Sequence, residues 1–377
     1  MIYETVYGDV ISPPYDTLTE KDIEELKDNP YNILNLSGHS EEESRKKMQG
    51  WIDSGILKNF EKKSLVILRQ RYSENGSFFE RLGVIGVIDI SLEENKLLEH
   101  ENVIPDYVKQ RKEHIMKLGA QTEPVFTIVD SIKLHSILWE IMEKKGCAKS
   151  YEEPKGTWND ICIVHEQEYI DKIAADLRDQ TGIIADGHHR YKAMNEILRE
   201  TSGLWKNMLV YVTSIKSDAT RIGEVHRIFE PWDGIYDDLS KFYDFQRFNE
   251  DGKIPAPAFI SKENALILQK KESRNDYEDV YLIDDFLRIG RAKNEDFKLE
   301  YTSSLDKLNE EIENNGKKAA IIMPVWDKDK FYEIVRGGKL LPAKSTYFYP
   351  KIPSGIAFYI MDKIECHCSS GGRAADS

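Results

Sequence analysis

Cysteine is scarce: the 377 residues hold four, Cys147, Cys162, Cys366 and Cys368. Cys366 and Cys368 stand too close together, with no matching pair, for a structural zinc site. Free thiols in a reducing cytoplasm are the expectation. Long apolar runs are missing too. No stretch of about eighteen apolar residues exists, so nothing reads as a membrane span. The start, MIYETVYGDVISPPYD, lacks the basic-then-apolar order of a signal peptide. Positive charge is in deficit, 52 Lys and Arg against 66 Asp and Glu, for a net charge of -14. That balance argues against broad contact with nucleic acid or an anionic membrane, while leaving room for a local basic pocket. Familiar catalytic motifs are absent as well. There is no GxxxxGK[ST] loop and no GxSxG elbow, and His100-Glu101 runs on into Asn102, Val103 and Ile104 instead of completing HExxH.

What is present suffices for a sizeable core, with 40% hydrophobic residues over one large domain or two ordinary ones. Pro13 and Pro14 stiffen an early loop, and Thr19 with Asp22 forms a near relative of the capping box. A helix follows from Ser40. SLVILRQRY and ERLGVIGVIDI read as strands of a hairpin turned at Glu74-Asn75-Gly76. A helix is expected from about Asp106 to Gly119, then a strand at PVFTIVD, a helix at about 132–145, and a strand at DICIVHE. After NMLVYVTSI, residues 236–248 read as a helix. The stretch from 251 to FL at 286–287 reads as short strands with charged turns, and helix, strand, helix follow. Hairpins mixed with strand-helix crossovers indicate an α+β (mixed α/β) protein with a break near 240–260. The final segment, 366–377, lacks periodicity and is expected to be a disordered tail.

The strongest chemical signal is TGIIADGHHRYKAMNEILRE, residues 181–200. An apolar strand ends at Asp186, Gly187 permits a turn, and His188, His189 and Arg190 open a helix. Amides at a helix N-terminus lack intrahelical partners and attract anions, and Arg190 offers a fork of donors matched to phosphate. Asp186 stands at a strand's C-terminal end, placed to accept from an imidazole, order the loop or help hold Mg²⁺. Adjacent histidines cannot share a helical face, so one meets a ligand while the other packs. The plainer alternative is that Asp186 caps the helix.

Four further clusters carry polar chemistry. Tyr15 and Asp16 sit on the stiff SPPYD turn. His100 and Glu101 precede the helix with Arg111, and a pocketed glutamate is a natural base for a hydroxyl. His226 and Arg227 would face opposite ways on a strand. Lys344, Ser345 and Thr346 lie in a loop between Pro342 and Pro350, able to contact phosphate without a glycine loop. Such a set suits phosphoryl transfer, where a protein mainly positions groups and stabilises charge.

With these residues the chain resembles the bacterial and archaeal family known as domain of unknown function 1015. SPPYD at 12–16, NPYNIL at 29–34, HEN with Arg111 and EPVF at 123–126, ADGHHRY at 185–191, VHRIF at 225–229 and LPAKSTYFYPKIPSG at 341–355 stand in the family's order. ADGHHRY is also similar to the phosphate-binding box of ParB partition proteins, sulfiredoxins and free-serine kinases. The resemblance implies a ParB/sulfiredoxin-like core with additional strand-helix elements. Residues 1–250 would form the catalytic region with an N-terminal extension, and 251–365 a smaller α/β region closing the site. Gly187, His188, His189 and Arg190 would cradle donor phosphates, with Lys344, Ser345 and Thr346 assisting. Glu101, Asp186, His188 and His189 would carry the chemistry, and Tyr15, Asp16, His100, Arg111, His226 and Arg227 would bind substrate. Asp186, Glu101 and Asp16 would hold Mg²⁺. The implied activity is a cytoplasmic small-molecule kinase making O-phospho-L-serine from free L-serine, with pyrophosphate, ADP or ATP as donor. A ParB-like nucleotide-binding regulatory module and a phosphohydrolase or nuclease of the same fold are the alternatives. No nucleic-acid or membrane partner is expected, and oligomeric state is not readable.

Overall fold

The computed structural model describes residues 2–5, 10–14, 17–36, 40–74, 76–95, 97–153, 155–248, 254–271 and 278–361. Tyr15, Asp16, Cys366, Cys368 and the tail 366–377 lie outside the described residues. The fold is α+β. Its largest element is a seven-stranded sheet in the order Lys149–Glu152, Thr157–Val164, Leu65–Glu74, Ser77–Asp89, Asn207–Ser214, Val125–Val129, Ile183–Asp186. Only Val125–Val129 against Asn207–Ser214 is parallel; the other pairs of this sheet are antiparallel.

Alternation along these strands sends side chains to two cores. Ile67, Leu82 and Val84 meet Leu134, Leu138 and Ile141 of the Lys133–Lys145 helix and Ile173 of the Gln167–Leu177 helix. Val66, Leu68, Ile85 and Phe126 join a second core with Ile115 of the Pro105–Leu118 helix and with Tyr191, Met194 and Ile197 of the His188–Glu200 helix. Each such aliphatic side chain, fully buried, contributes about 1.5–3 kcal/mol. The capping boxes at Thr19 and Ser40 form in full, and Gly119 closes its helix in the left-handed conformation.

A six-stranded sheet follows the order Tyr243–Arg247, Ala265–Lys270, Ala258–Ser261, Ala319–Ile322, His226–Phe229, Leu299–Thr302. The chain then returns to the first half. Tyr347–Tyr349 pairs with Arg221–Gly223, and Ala357–Ile360 lies between Ile2–Thr5 and Ala120–Gln121 in a four-stranded sheet that Leu57–Asn59 completes.

Two elements differ from the sequence reading. The helix expected over 236–248 is confined to Ile235–Leu239, and Tyr243–Arg247 is a strand against Ala265–Lys270. Tertiary contact decides it, because Tyr243 is fully buried and its hydroxyl donates to Asp279 Oδ1 at 2.9 Å. Asp279 in turn belongs to a helix, Glu278–Lys293, where strands and charged turns were expected. Its buried Val280, Ile283, Phe286, Leu287 and Gly290 keep helical spacing, which the intervening acids of YLIDDFL disguise.

Candidate active site

The site is assembled at the edge of the seven-stranded sheet. Ile183–Asp186 is the outermost strand, and the chain at Leu98 runs parallel to it. The Leu98 N–H donates to Gly182 O (2.8 Å) and the Ile184 N–H to Leu98 O (2.9 Å). One layer further out, the Leu341 N–H donates to His100 O (2.7 Å) and the Asn102 N–H to Leu341 O (3.2 Å). Three distant segments are thereby laid side by side. His100 and Glu101, the 186–190 turn and the 344–346 loop converge.

Gly187 has φ 99°, a left-handed conformation that a Cβ would resist, and it begins the helix without any side-chain cap. Asp186 is therefore not a cap. Its Oδ2 receives Arg190 Nη2 at 2.9 Å and its Oδ1 receives Lys351 Nζ at 3.1 Å. Burial alone would raise this carboxyl, but Lys351 and Arg190 outweigh it and hold the pKa far below the usual carboxylate range. Arg190 also donates to Pro124 O (2.6 Å) and stands 3.6 Å from Glu123 Oε2. Glu123 accepts from the Ser354 hydroxyl at 2.6 Å. Its carboxyl is lowered although burial opposes this, because Arg190 and Arg111 face it. Arg111 and His114 line a small cavity of about 30 Å³ between Glu123 and Arg190, room for roughly one water.

All three histidines are neutral, and their partners fix the tautomers. His100 Nδ1 faces the Ile184 carbonyl at 2.6 Å, so that nitrogen carries the proton, and Nε2 accepts from the Thr346 hydroxyl at 2.8 Å. His188 Nε2 accepts from the His100 backbone N–H (3.3 Å), which leaves its protonated Nδ1 toward Glu101 Oε1 at 3.6 Å. His189 Nε2 accepts from the Ile104 N–H (3.1 Å), and its ring packs edge-on to Tyr107. Burial lowers His100 and His189 to about 4 and His188 well below its ordinary value. His188 is buried and His189 half-buried, and both accept from backbone N–H groups of the 100–104 segment. They offer hydrogen bonds, and the positive charge at the turn comes from lysine and arginine.

Glu101 is the opposite case. Its side chain is 12% exposed, and burial pushes its carboxyl up to about 7 against the charge of Lys344. The Ser345 N–H approaches Oε2 at 3.4 Å. Lys344 itself has φ 59°, a left-handed conformation uncommon for a residue with a side chain. The hydroxyls of Ser345 and Thr346 are engaged within the protein, by Pro342 O and His100 Nε2. Of this trio, Lys344 is the one whose charge acts on Glu101 and Asp186.

His226 and Arg227 are both buried, not divided between core and solvent. The Met323 N–H donates to His226 Nδ1 at 3.2 Å. Arg227 donates to Val225 O and stacks 4.8 Å over the Tyr301 ring, and burial lowers it to about 10. His226 also lines a polar cleft of about 700 Å³ with Arg221, Trp326, Lys328 and Tyr349, beside the 345–349 segment. Glu101 and Asp186 do not line that cleft. Two residues of the site, Lys351 and Glu123, were present in the sequence motifs as parts of PKIPSG and EPVF without being singled out. A lysine and a glutamate next to prolines give no local sign of the ion pairs they make.

The family model described as "Protein of unknown function (DUF1015)" matches residues 3–315. The chain belongs to this family. Residues 341–351 of the DUF1015 chain, which carry Lys344 and Lys351, lie past the matched region. No curated protein matches the sequence. Among solved structures, a conserved hypothetical protein from Pyrococcus furiosus is 14% identical with TM-score 0.43, covering 72% of this chain and 93% of its own. A free serine kinase variant in complex with ADP is 12% identical with TM-score 0.44, covering 70% and 87%. SbnI with C-terminal truncation, from Staphylococcus aureus, is 10% identical with TM-score 0.44, covering 72% and 85%.

Proposed function

We propose that the protein is a phosphotransferase acting on a small hydroxyl compound, with free L-serine as acceptor and pyrophosphate, ADP or ATP as donor. The observation that carries the proposal is the pairing of Glu101, whose carboxyl is pushed up to about 7, with a turn whose helix N-terminus has no side-chain cap and which Lys344 and Lys351 flank. A base poised near neutrality next to an anion-binding turn is what hydroxyl phosphorylation requires. The motif likeness of ADGHHRY to the phosphate box of ParB proteins, sulfiredoxins and free-serine kinases points the same way.

In this reading the donor phosphates lie against the amides of His188 to Arg190, with Lys344 and Lys351 supplying positive charge. Glu101, when ionised, takes the acceptor's hydroxyl proton as the oxygen forms its bond to phosphorus. The bond from phosphorus to the bridging oxygen breaks, and phosphate, AMP or ADP leaves according to the donor. His188 faces Glu101 through Nδ1, 3.6 Å from Oε1. Arg190 acts at one remove: it fixes Asp186 and Glu123.

Among the described residues, which exclude Asp16, the donor set does not fit a protein-held Mg²⁺. Both oxygens of Asp186 are paired with cations, and among the described residues no group of three or more His, Cys, Asp or Glu is arranged to hold a metal. No step above is routed through a metal. The deciding experiment crosses the three donors with L-serine and related hydroxyl compounds, with and without Mg²⁺. Phosphoserine from at least one donor is the expected result. None from any donor under either condition overturns the reading.

A further inference from the structure

Arg81 lies in the middle of the seven-stranded sheet with no exposed surface. Among the described residues no carboxylate forms a hydrogen bond or ion pair with it. Its guanidinium donates instead to the Gln70 side-chain oxygen and to the backbone carbonyls of Tyr349 (3.1 Å) and Pro350. It rests 4.7 Å from the Phe126 ring centroid. Gln70 is directly across from it on the neighbouring strand, and Asn159 is directly across from Gln70 on the next. The Gln70 amide donates to Asn159 Oδ1 and to the carbonyl of Lys351, both at 3.0 Å. All three side chains are fully buried.

A cation buried without a countercharge is costly, and an apolar side chain of similar size would fill the space at lower cost. What an apolar chain cannot do is bind carbonyls, of which Arg81 takes two and Gln70 the next. Those of 349, 350 and 351 are the ones held, at the point where the Tyr347–Tyr349 strand ends and residues 350–353 make no ladder. The fork of an arginine suits that task. Immediately beyond, the Lys351 side chain reaches Asp186 Oδ1 at 3.1 Å.

We propose that Arg81 and Gln70 are positioning residues: by gripping the carbonyls of 349–351 from inside the sheet, they hold the Lys351 ammonium at the Asp186 turn, where it meets a donor phosphate. The last clause rests on the phosphotransferase reading; the positioning itself does not. The test uses the full-length chain and the variants Arg81→Lys and Gln70→Leu, checked for fold by circular dichroism. Lysine acetylation is followed by mass spectrometry. In both variants Lys351 should label severalfold faster than in wild type, while lysines far from the turn keep their rates. A donor titration in the transfer assay adds the functional arm. Both variants should raise donor KM about tenfold, with kcat little changed, and Arg81→Lys should add nothing further in a Lys351→Ala background. Unchanged Lys351 labelling in a folded variant overturns the proposal, as does failure of both variants to fold, which would make the row a matter of stability alone. Additive effects on KM overturn the link to donor binding. A wild-type protein that transfers no phosphoryl group sinks the phosphotransferase reading, yet leaves the labelling result to decide the positioning.

Discussion

The carboxyl of Glu101 and the imidazoles around it are shifted in opposite directions by one cause, burial, and this has consequences that can be measured. Glu101→Gln keeps the shape and removes the carboxylate that the proposed reaction uses as its base. It should lower kcat by about 10²–10⁴-fold while donor binding survives, and wild-type kcat/KM should rise with pH through about 7. Stability responds separately. A glutamate whose folded pKa is raised loses stability as pH climbs from its unfolded value toward about 7. Histidines held near 4 act the other way, and their contribution is lost as pH falls below their unfolded value. Between about pH 4.5 and 6.5 the two oppose. Removing Glu101 should therefore make the rise of stability with pH steeper; urea midpoints across that range, compared with wild type, check it. A slope that is equal or flatter would mean that Glu101 is ionised in the folded protein at these pH values. For Arg190→Ala the expected loss is structural as well as catalytic, because Glu123 and Asp186 both lose a partner. About 3 kcal/mol of stability should go with it, seen as a lower denaturation midpoint at unchanged m.

At the scale of elements, the strand, turn and helix over 181–200 were fully legible, since an apolar run, a glycine and a 3.6-residue pattern all agree there. Gly187→Ala tests the turn. Its left-handed conformation costs a residue with a Cβ about 1–2 kcal/mol, and the new methyl would sit 3.1 Å from the Arg190 guanidinium. Thermal denaturation should show the loss, and donor KM should rise because the amides move with the turn. What the sequence hid follows a physical rule. Tyr243–Arg247 and Glu278–Lys293 meet in one core, where Tyr243 also donates to Asp279, and neither segment announces that contact alone. The convergence of His100, Asp186 and Thr346 was legible as motif order. Its geometry was not, since it depends on backbone pairing at Leu98 and Leu341. Lys351 was hidden for the same reason.

For the molecule as a whole, the two large sheets share a bridge. Trp326 packs against the cores of both and donates its indole N–H to Ser345 O at 2.9 Å. Wild-type protein should unfold in one transition, and Trp326→Ala should separate the transition into two, read by calorimetry against far-ultraviolet circular dichroism. One transition in the variant would place the coupling elsewhere. The return of residues 341–360 to the first half has a further result, in the order of synthesis. Leu341, Lys344, Thr346 and Lys351 complete a site begun at His100, and Ala357–Ile360 lies inside a sheet that starts at Ile2. A ribosome making this chain therefore carries Glu101 without Lys344 or Lys351, and a sheet with a gap in its middle, until the last of these residues emerges. If the protein transfers phosphate as proposed, nascent chains stalled before Leu341 should be inert, and activity should appear abruptly once the segment is free.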